Sequence, residues 1–529
     1  MADTEKDDFD ISLRFGGGQH SSRTPDEIDA RECVSGTNYD LDLQNTAFKA
    51  RPPFDLIGTV PNAGEIRGGI TLKKADGSTT TLFQAGNTVY EWDGDSTFTS
   101  RGTVDSSAKL RGKIEHYWAL DEKVLITDLN LADVVMEWNG TALSDMTENL
   151  TGDFKAKYCF VANERAYFAN VVSNSTATPH MIVGSTREDN ETLSIANRPS
   201  SALGEGDPFY ILTPDLKPIN GLIGAFGTTI MSSQDGSIFK LNGESAKDFA
   251  IASLYADSSA AGDESLLYTG NDVVYGRPGA IESIAATDKF GDVENNDLTR
   301  WISDAVREYT SWTNIYNRRT KRAYFFPDSQ SEVWAYNQAI LEKNLSPWAK
   351  WTTTHSVAFQ PSFVMNMYDP SDGLEYIFFG DSSGNIYRME GTGANGDAGS
   401  AEITAERKSA LISFLKNMNA DELDCHIKYL KQLSNVSVDI TYHWQGDEVF
   451  DSETPLTMDS ADSYPVYGDD NNYYYNDGET WYGVSGLDKI YRQRTSPEGS
   501  GQDLQVSLSV TGTEEFEILE HGIRGNVTT

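Results

Sequence analysis

Side chains that could do chemistry are thinly spread along this chain of 529 residues. Its seven histidines stand alone, and none forms the His-x-x-x-His or similar pair that binds a metal ion. The sequence also lacks a glycine-rich phosphate loop and a Gly-x-Ser-x-Gly nucleophile turn. We therefore predict no catalytic, cofactor-binding or metal-binding residues. The isolated histidines, which we expect to be structural, are His20, His116, His180, His355, His426, His443 and His521.

The three cysteines are also predicted to be structural. Cys33, Cys159 and Cys425 are far apart in sequence and odd in number. This spacing indicates neither a disulfide framework nor a zinc site. We expect each of them to be a small buried apolar side chain.

Carboxylates are the one reactive group that the chain has in excess. Asp93 with Asp95, and Asp469 and Asp470 with Asp477, form short acidic clusters, and oxygen ligands of this kind bind Ca²⁺. The second cluster lacks the twelve-residue spacing with a closing Glu that calcium loops use. Because the chain has 80 Asp and Glu residues, composition alone produces such clusters. We expect no metal at either of them.

The charge balance argues against tight nucleic-acid binding. The chain has 42 Lys and Arg residues against 80 Asp and Glu, a formal net charge of −38. Such a surface repels phosphate backbones. The acidic first 20 residues lack the apolar core of a secretory signal, and no run of about 18 apolar residues occurs, so we expect no membrane insertion.

A repeat of roughly 50 residues supplies the elements that must position any site. An apolar strand, a polar turn and a second apolar strand recur, followed in three of the seven copies by Asn/Asp-Gly, as in VYEWDG (89–94) and VMEWNG (135–140). The second strands begin near residues 89, 135, 181, 238, 281, 333 and 386. Short strands at this period are typical of β-propeller blades. We predict an all-β protein whose residues 61–398 form a β-propeller of about seven blades, with six or eight as alternatives.

Two smaller features fit a propeller. Trp92 and Trp138 end equivalent strands, and we expect both to pack between blades rather than to stack on a ligand. Apolar residues at helical spacing predict a short helix on a connection between blades. These residues are Leu298, Ile302, Val306 and Tyr309.

The two ends of the chain depart from the repeat. Residues 1–60 are predicted to form an N-terminal arm with an edge strand that crosses the propeller or a neighbouring subunit. Residues 399–529 contain longer strands with period-two alternation, which predicts a C-terminal antiparallel β-sandwich domain. An acidic, Tyr-rich insertion at about 446–500 interrupts that domain. It is either a contact between subunits or a solvated loop.

Two functions from other classes remain open at this point. Propeller glycosidases place carboxylates in a central funnel, and 232–239 (SSQDGSIF) and 381–387 (DSSGNIY) approach the Ser-x-Asp-x-Gly turn of sialidase-type propellers without matching it. Hairpin turns explain both stretches. The second alternative is a cellular propeller scaffold that binds peptides.

An ordered series of stretches makes the chain resemble the tail nozzle or hub proteins of short-tailed, podovirus-like double-stranded DNA bacteriophages. The series begins with NYDLDLQNTAFKARPPFDLIGTVPN, TLFQAGNTVYEWDG and KVLITDLNLADVVMEWNG. It continues with KYCFVANERAYFANV, DVVYGRPGAIESI, NRRTKRAYFFPDSQSEVWAYN, SPWAKW and GNIYRMEG. The acidic, Tyr-rich segment after Gly446 has no counterpart in this pattern.

The resemblance implies a structural virion protein and no enzyme activity. Such proteins form a homohexameric ring below the portal and its adaptor (the head-to-tail connector), with propellers projecting outward and sandwich domains lining a channel. Tail fibre or needle proteins attach to the ring, and double-stranded DNA passes through without specific binding. The implied location is the phage tail of the virion, after synthesis in the host cytoplasm. Six copies would carry a charge of about −230, which suits a conduit that must not hold DNA.

Overall fold

The computed structural model contains 42 strands and two four-residue helices over the residues that it describes. These are residues 6–13, 15–41, 47–61, 64–112, 122–150, 152–162, 164–225, 228–234, 237–255, 260–270, 272–286, 293–328, 330–341, 344–355, 361–391, 397–399, 401–419, 423–429, 436–445, 450–457, 472–476, 481–485, 491–495, 500–512 and 517–528. Neither helix is long or apolar enough to span a bilayer.

Five strands precede the first repeat. They are β1 (Lys6–Leu13), β2 (Cys33–Thr37), β3 (Tyr39–Asp40), β4 (Phe48–Ala50) and β5 (Asp55–Thr59).

The next strands form four-stranded antiparallel blades, and the strands of each blade follow one another from the innermost outward. Blade one contains β6 (Ile66–Lys73), β7 (Thr79–Ala85), β8 (Thr88–Trp92) and β9 (Phe98–Thr103). Blade two contains β10 (Leu110–Gly112), β11 (Val124–Asp128), β12 (Met136–Trp138) and β13 (Leu143–Asp145). Blade three contains β14 (Phe154–Ala162), β15 (Arg165–Ser173), β16 (Thr176–Gly184) and β17 (Phe209–Leu212). Blade four contains β18 (Ile219–Ala225), β19 (Thr228–Ser233), β20 (Ile238–Asn242) and β21 (Ala250–Tyr255).

Three further blades complete the ring. Blade five contains β22 (Leu266–Tyr268), β23 (Val273–Arg277), β24 (Ala280–Ala286) and β25 (Val293–Asp297), followed by α1 (Ser303–Val306). Blade six contains β26 (Trp312–Asn317), β27 (Arg322–Pro327), β28 (Glu332–Asn337) and β29 (Trp348–Thr352), with α2 (Gln338–Leu341) before its last strand. Blade seven contains β30 (Phe363–Tyr368), β31 (Glu375–Gly380) and β32 (Asn385–Arg388), and its outermost strand is β5 from the N-terminal segment.

Each blade packs on the next through its inner strands, and β30 of blade seven lies against β6 of blade one, so the ring is closed. A hydrophobic cluster fills each of the seven interfaces between blades. The predicted propeller is therefore confirmed, with seven blades. All seven predicted second strands are the third strands of their blades. Two of these strands are followed, two residues on, by a glycine with a positive φ, Gly94 (φ 90°) and Gly140 (φ 89°), which explains the Asn/Asp-Gly at these turns.

The smaller predictions for the ring are also confirmed. Trp92 lies between blades one and seven, with its ring centroid 5.7 Å from that of Phe378. Trp138 is fully buried against blade one. The short helix α1 follows blade five, and Leu298, Ile302 and Val306 around it are buried in the interface between blades five and six.

Two packed sheets form the C-terminal domain, as predicted. Its strands are β33 (Ile403–Ser409), β34 (Ile412–Asn419), β35 (Leu423–Tyr429), β36 (Val436–Gln445), β37 (Phe450–Thr457), β38 (Asn472–Asn476), β39 (Trp481–Ser485), β40 (Tyr491–Thr495), β41 (Ser500–Gly512) and β42 (Glu517–Thr528). One sheet has the order β2-β33-β41-β36-β37, with β34 on β41. The other has the order β3-β4-β42-β35-β40, with β1 on β42. The predicted alternation holds, since Val436, Val438 and Ile440 are buried and Ser437 and Asp439 between them are exposed.

The strands within the first 60 residues do not form a separate arm, because they belong to the propeller and to the sandwich. Strand β5 completes blade seven, while β1 to β4 enter the two sheets of the sandwich. Strand β2 also pairs in parallel with β29, so blade six and one sandwich sheet form a continuous ten-stranded sheet. These strands would otherwise leave their backbone donors and acceptors unpaired, and pairing with distant partners satisfies them.

The predicted insertion at about 446–500 contributes to the sandwich as well. Strand β37 pairs with β36, and β40 pairs with β35. Between them, β38 and β39 form a hairpin that pairs with no other described strand. The remaining residues of the insertion lie outside the described part of the chain.

His521 in the sandwich core predicts a loss of stability in acid. Its side chain is fully buried, its Nε2 lies 3.0 Å from the Tyr442 hydroxyl, and burial lowers the pKa of His521 to about 4. Between about pH 6.5 and 4 the unfolded chain binds a proton that the folded chain does not, so the free energy of unfolding falls as the pH falls. The full effect is about 3 kcal/mol.

The His521→Gln variant should lose this component of the pH dependence. Urea unfolding of both proteins at several pH values between 7 and 4 measures it. An equal decline of stability in the variant and the parent protein would contradict the assignment.

Candidate functional site

Asp93 and Asp381 lie in sequence motifs that could have marked a functional site, and in the structure both stabilise hairpin turns. The Asp93 carboxylate accepts hydrogen bonds from the backbone N–H groups of Asp95 (3.0 Å) and Thr97 (3.1 Å), which caps the β8–β9 turn. Asp381 accepts from the backbone N–H of Ser383 and of Asn385, both at 2.8 Å, and so caps the turn before β32. Asp469, Asp470 and Asp477 lie outside the described residues, as does the turn at 235–236. Within the described residues, no three His, Cys, Asp or Glu side chains cluster as metal ligands would.

The histidines and cysteines have structural surroundings where they are described. His20 Nδ1 lies 2.8 Å from Glu32 Oε2, and both side chains are buried. His443 Nε2 lies 2.7 Å from the Ser507 hydroxyl. All three cysteines are buried. These side chains support packing, and the structure brings none of them together in a cleft.

A β-propeller has a channel at the centre of its ring, and part of the chain comes close to that channel here. The connection between blades four and five, residues 260–265, turns inward there. Its backbone accepts hydrogen bonds from β26, with Trp312 N donating to Ala261 O (3.0 Å) and Asn314 N to Glu264 O (3.1 Å). Gly262 permits this path, because its φ is 111° and an added Cβ would lie 2.6 Å from the Trp312 carbonyl oxygen.

A salt bridge spans the centre of the ring. Arg111, on the innermost strand of blade two, donates from Nε to Glu264 Oε1 (2.7 Å) and from Nη2 to Glu264 Oε2 (2.9 Å). Blades two and five are three positions apart in a ring of seven, so this bidentate pair joins nearly opposite sides. The Arg111 side chain is 5% exposed and that of Glu264 is 12% exposed. The Nη1 of Arg111 also donates to the backbone oxygens of Arg67 and Leu110. The Arg111 guanidinium lies 5.2 Å from the centroid of the Phe363 ring.

A second charged pair borders the first. Asp263 accepts a hydrogen bond from the Tyr158 hydroxyl (2.7 Å) and lies 3.6 Å from the Lys157 ammonium. Burial, assisted by the Asp263 carboxylate, raises the pKa of Tyr158 well above its usual value. The phenol therefore stays protonated and continues to donate to Asp263.

These contacts bring four charged side chains together near the centre of the propeller. The two carboxylates and the two cations balance, and each carboxylate is held by a named partner. Beside them is a cavity of about 10 Å³, enough for about one water molecule. The described residues around the axis thus tie blades two and three to the connection between blades four and five.

A buried salt bridge between Arg51 and Asp397 joins the propeller to the sandwich domain. Arg51 and Asp397 are each 1% exposed, and Arg51 Nη1 donates to Asp397 Oδ1 at 2.8 Å. Arg51 also donates to Thr352 O at the end of blade six (2.8 Å) and to the Asn38 side chain (3.0 Å). Asp397 accepts from the Thr353 hydroxyl (2.6 Å). The N-terminal segment, blade six and the connection to the sandwich therefore meet at one point.

Glu390 organises a neighbouring buried cluster. Its carboxylate accepts hydrogen bonds from the Tyr324 hydroxyl and the Asn317 amide, and from the Thr320 hydroxyl at 3.0 Å. Burial and the Glu390 charge raise the pKa of Tyr324 well above its usual value, so this phenol also remains a donor. Arg322, 2.7 Å from Asp40, connects the cluster to the N-terminal segment.

Sequence reasoning did not find the axial and junction pairs. Arg111 and Glu264 are 153 residues apart, and Arg51 and Asp397 are 346 apart. The stretch around Arg111, AKLRGKI, has three basic residues, so the sequence does not single out Arg111 as a buried charge. A buried charge of this kind needs a partner, but the sequence does not say which of many acids supplies it.

The chain matches no protein-family model and no curated protein. Among solved structures it is similar to virginiamycin B lyase from Staphylococcus aureus crystallised with quinupristin (10% identity, TM-score 0.38, covering 62% of this chain and 96% of that chain). It is also similar to the WD40 domain of Toxoplasma gondii coronin (9%, 0.39, 67% and 87%) and to YCF48 bound to D1 peptide (13%, 0.40, 64% and 97%). Similarity at this level carries no functional argument.

The axial salt bridge should stabilise the ring mainly by keeping two buried charges paired. Arg111→Met leaves the Glu264 carboxylate without its guanidinium, which should lower the free energy of unfolding by about 3–5 kcal/mol. Glu264→Gln in the same protein should recover more than half of that loss, since no buried charge is then left over. Urea unfolding followed by tryptophan fluorescence measures all four proteins of the cycle. Additive losses in the double variant would contradict direct coupling.

The Arg51–Asp397 pair should hold the sandwich on the propeller. Arg51→Met should destabilise the protein by about 3–5 kcal/mol and expose the connection at 391–402 to proteolysis. The matched control is Arg31→Met, which removes an exposed Arg–Asp pair (48% and 39% exposed) and should cost less than about 1 kcal/mol. Limited proteolysis with mass mapping of fragments reports the effect. Equal cleavage of both variants at 391–402 would contradict a special role for Arg51.

Proposed function

We propose that the protein is a structural component of a short-tailed phage virion, a tail nozzle or hub that assembles as a homohexameric ring. The observation that carries the proposal is the way in which the N-terminal segment binds the propeller and the sandwich into one body. Strand β5 closes the ring of blades, β2 continues blade six into the sandwich, and β1, β3 and β4 fill the other sheet. Two domains that share strands in this way form a rigid unit, which suits a protein that transmits force between the neighbouring proteins of a tail.

The salt bridge between Arg111 and Glu264 at the centre of the propeller favours a DNA channel that lies elsewhere in the proposed ring. In the proposed ring, DNA passes along the sixfold axis between copies, beside the sandwich domains. Six copies carry a charge of about −230, and a wall of that sign repels the duplex and keeps it mobile.

The proposed partners follow from the position of the ring in the tail, below the portal and its adaptor. Its upper face meets the portal-adaptor, and its periphery or lower face carries tail fibres or a needle. Double-stranded DNA is a passing cargo without a specific site. The protein is made in the host cytoplasm and functions in the virion tail.

Counting copies in purified particles tests the proposal. Quantitative peptide mass spectrometry on DNA-filled particles should find about six copies of this chain per particle, relative to the major capsid protein. Microscopy of the same particles should then place a sixfold ring below the portal. Absence of the chain from the particles would overturn the proposal, and a glycan-cleavage assay on the purified protein would then test the enzyme alternative.

A further inference from the structure

An amine, a carboxylate and a carboxamide meet in a buried position where blade three touches blade two. Glu137 on β12 and Asn190 in the β16–β17 connection are both buried, and the Lys123 side chain, directly before β11, is 10% exposed. The Lys123 ammonium donates to Glu137 Oε2 at 2.9 Å. The Asn190 amide donates from Nδ2 to Glu137 Oε1 at 2.5 Å. One carboxylate therefore holds the amine and the carboxamide next to each other.

The backbone that carries these three groups is fixed by hydrogen bonds. Glu137 lies within β12, which pairs with β11 on one side and with β13 on the other, and Lys123 directly precedes β11. The turn that carries Asn190 is closed by a hydrogen bond from the Thr186 N–H to the Thr192 carbonyl oxygen (2.9 Å). Groups that a fold holds together in this way react as if at very high concentration.

A set of three such groups can form an isopeptide bond. The amine is the nucleophile, the carboxamide carbon is the atom attacked, and the carboxylate moves protons between the two nitrogens. One amide replaces another and ammonia leaves, so the reaction needs no oxidant and no cofactor.

We propose that Lys123 and Asn190 form an intramolecular isopeptide bond, with Glu137 transferring the protons. Glu137 Oε2 accepts a proton from the Lys123 ammonium, and the neutral Nζ then bonds to Cγ of Asn190. Glu137 delivers the proton to Nδ2 of Asn190, and the Cγ–Nδ2 bond breaks. The nitrogen of Asn190 leaves as ammonium with two of the three protons from Lys123, and the third stays on the new amide. Glu137 is a carboxylate again at the end.

The product suits the same surroundings. The N–H of the new amide can donate to Glu137 in place of the ammonium. Glu191, whose Oε1 lies 3.3 Å from Lys123 Nζ, loses an ion-pair partner. Because the Glu191 side chain is 42% exposed, water hydrates its charge at little cost. The bond joins the start of β11 in blade two to the β16–β17 connection of blade three, and it does not depend on the proposed ring.

The charge on Lys123 sets the rate of the reaction. Burial lowers the pKa of Lys123, but Glu137 and Glu191 outweigh burial and raise that pKa above its usual value. The neutral amine is therefore a minor form at neutral pH, and its fraction grows about tenfold with each pH unit below the pKa. We expect the bond to form slowly at neutral pH and faster in alkaline buffer.

Intact-protein mass spectrometry of the full-length chain tests the bond. After incubation at about pH 9, the parent protein should be lighter than its sequence mass by one ammonia, about 17 Da. Tandem mass spectrometry of a tryptic digest should find a branched peptide that joins Lys123 to Asn190, with the Lys123–Val124 bond uncut. Lys123→Arg should keep the full mass, because a guanidinium cannot replace the amine here.

The two carboxylates near Lys123 provide a matched pair of variants. Glu137→Gln keeps the shape and the hydrogen bonds of the side chain but cannot take up a proton, so it should slow bond formation by at least about a hundredfold. Glu191→Gln removes the other carboxylate and should form the bond at least as fast as the parent protein, because the pKa of Lys123 then falls. Circular dichroism checks that each variant is folded.

Three outcomes would overturn the inference. A parent protein that keeps its full mass at about pH 9 holds these groups only as a salt bridge with an amide donor. A Glu137→Gln variant that forms the bond as fast as the parent protein excludes proton transfer by Glu137. A mass loss of about 18 Da, with Lys123 joined to Glu191, places the bond at a different residue.

Discussion

Closure of the propeller ring through β5 is the constraint on which the rest of the structure depends. A blade buries its faces only against its neighbours, so an incomplete last blade would expose an edge and weaken the interface with blade one. The backbone pairing of Asp55–Thr59 with β32 completes that blade. It also fixes where the N-terminal segment starts its path to the sandwich. Residues 47–54 are therefore held between blade seven on one side and β42 on the other.

Buried salt bridges connect distant segments of the chain in this arrangement. The pairs Arg111–Glu264 and Arg51–Asp397 each join segments that are remote in sequence. Removing two charges from water costs free energy, which the pairing and the added hydrogen bonds to backbone oxygens offset. What such pairs add is specificity, since a misplaced strand would leave a charge buried alone.

The chain carries a formal net charge of −38. Copies of the chain therefore repel one another at long range, and they repel DNA as well. In the proposed ring, the contacts between copies must overcome this repulsion.

The sequence by itself determined the local features of this protein. Period-two alternation and Asp-Gly or Asn-Gly turns are encoded within a few residues, so the seven third strands, the packing roles of Trp92 and Trp138, and the two-sheet C-terminal domain could all be predicted. Only the tertiary structure decided that β5 belongs to blade seven, that Arg111 meets Glu264 across the axis, and that the insertion supplies strands to both sheets. Pairing between strands hundreds of residues apart depends on ring closure and on the exclusion of water from charges. Neither leaves a periodic trace in the sequence.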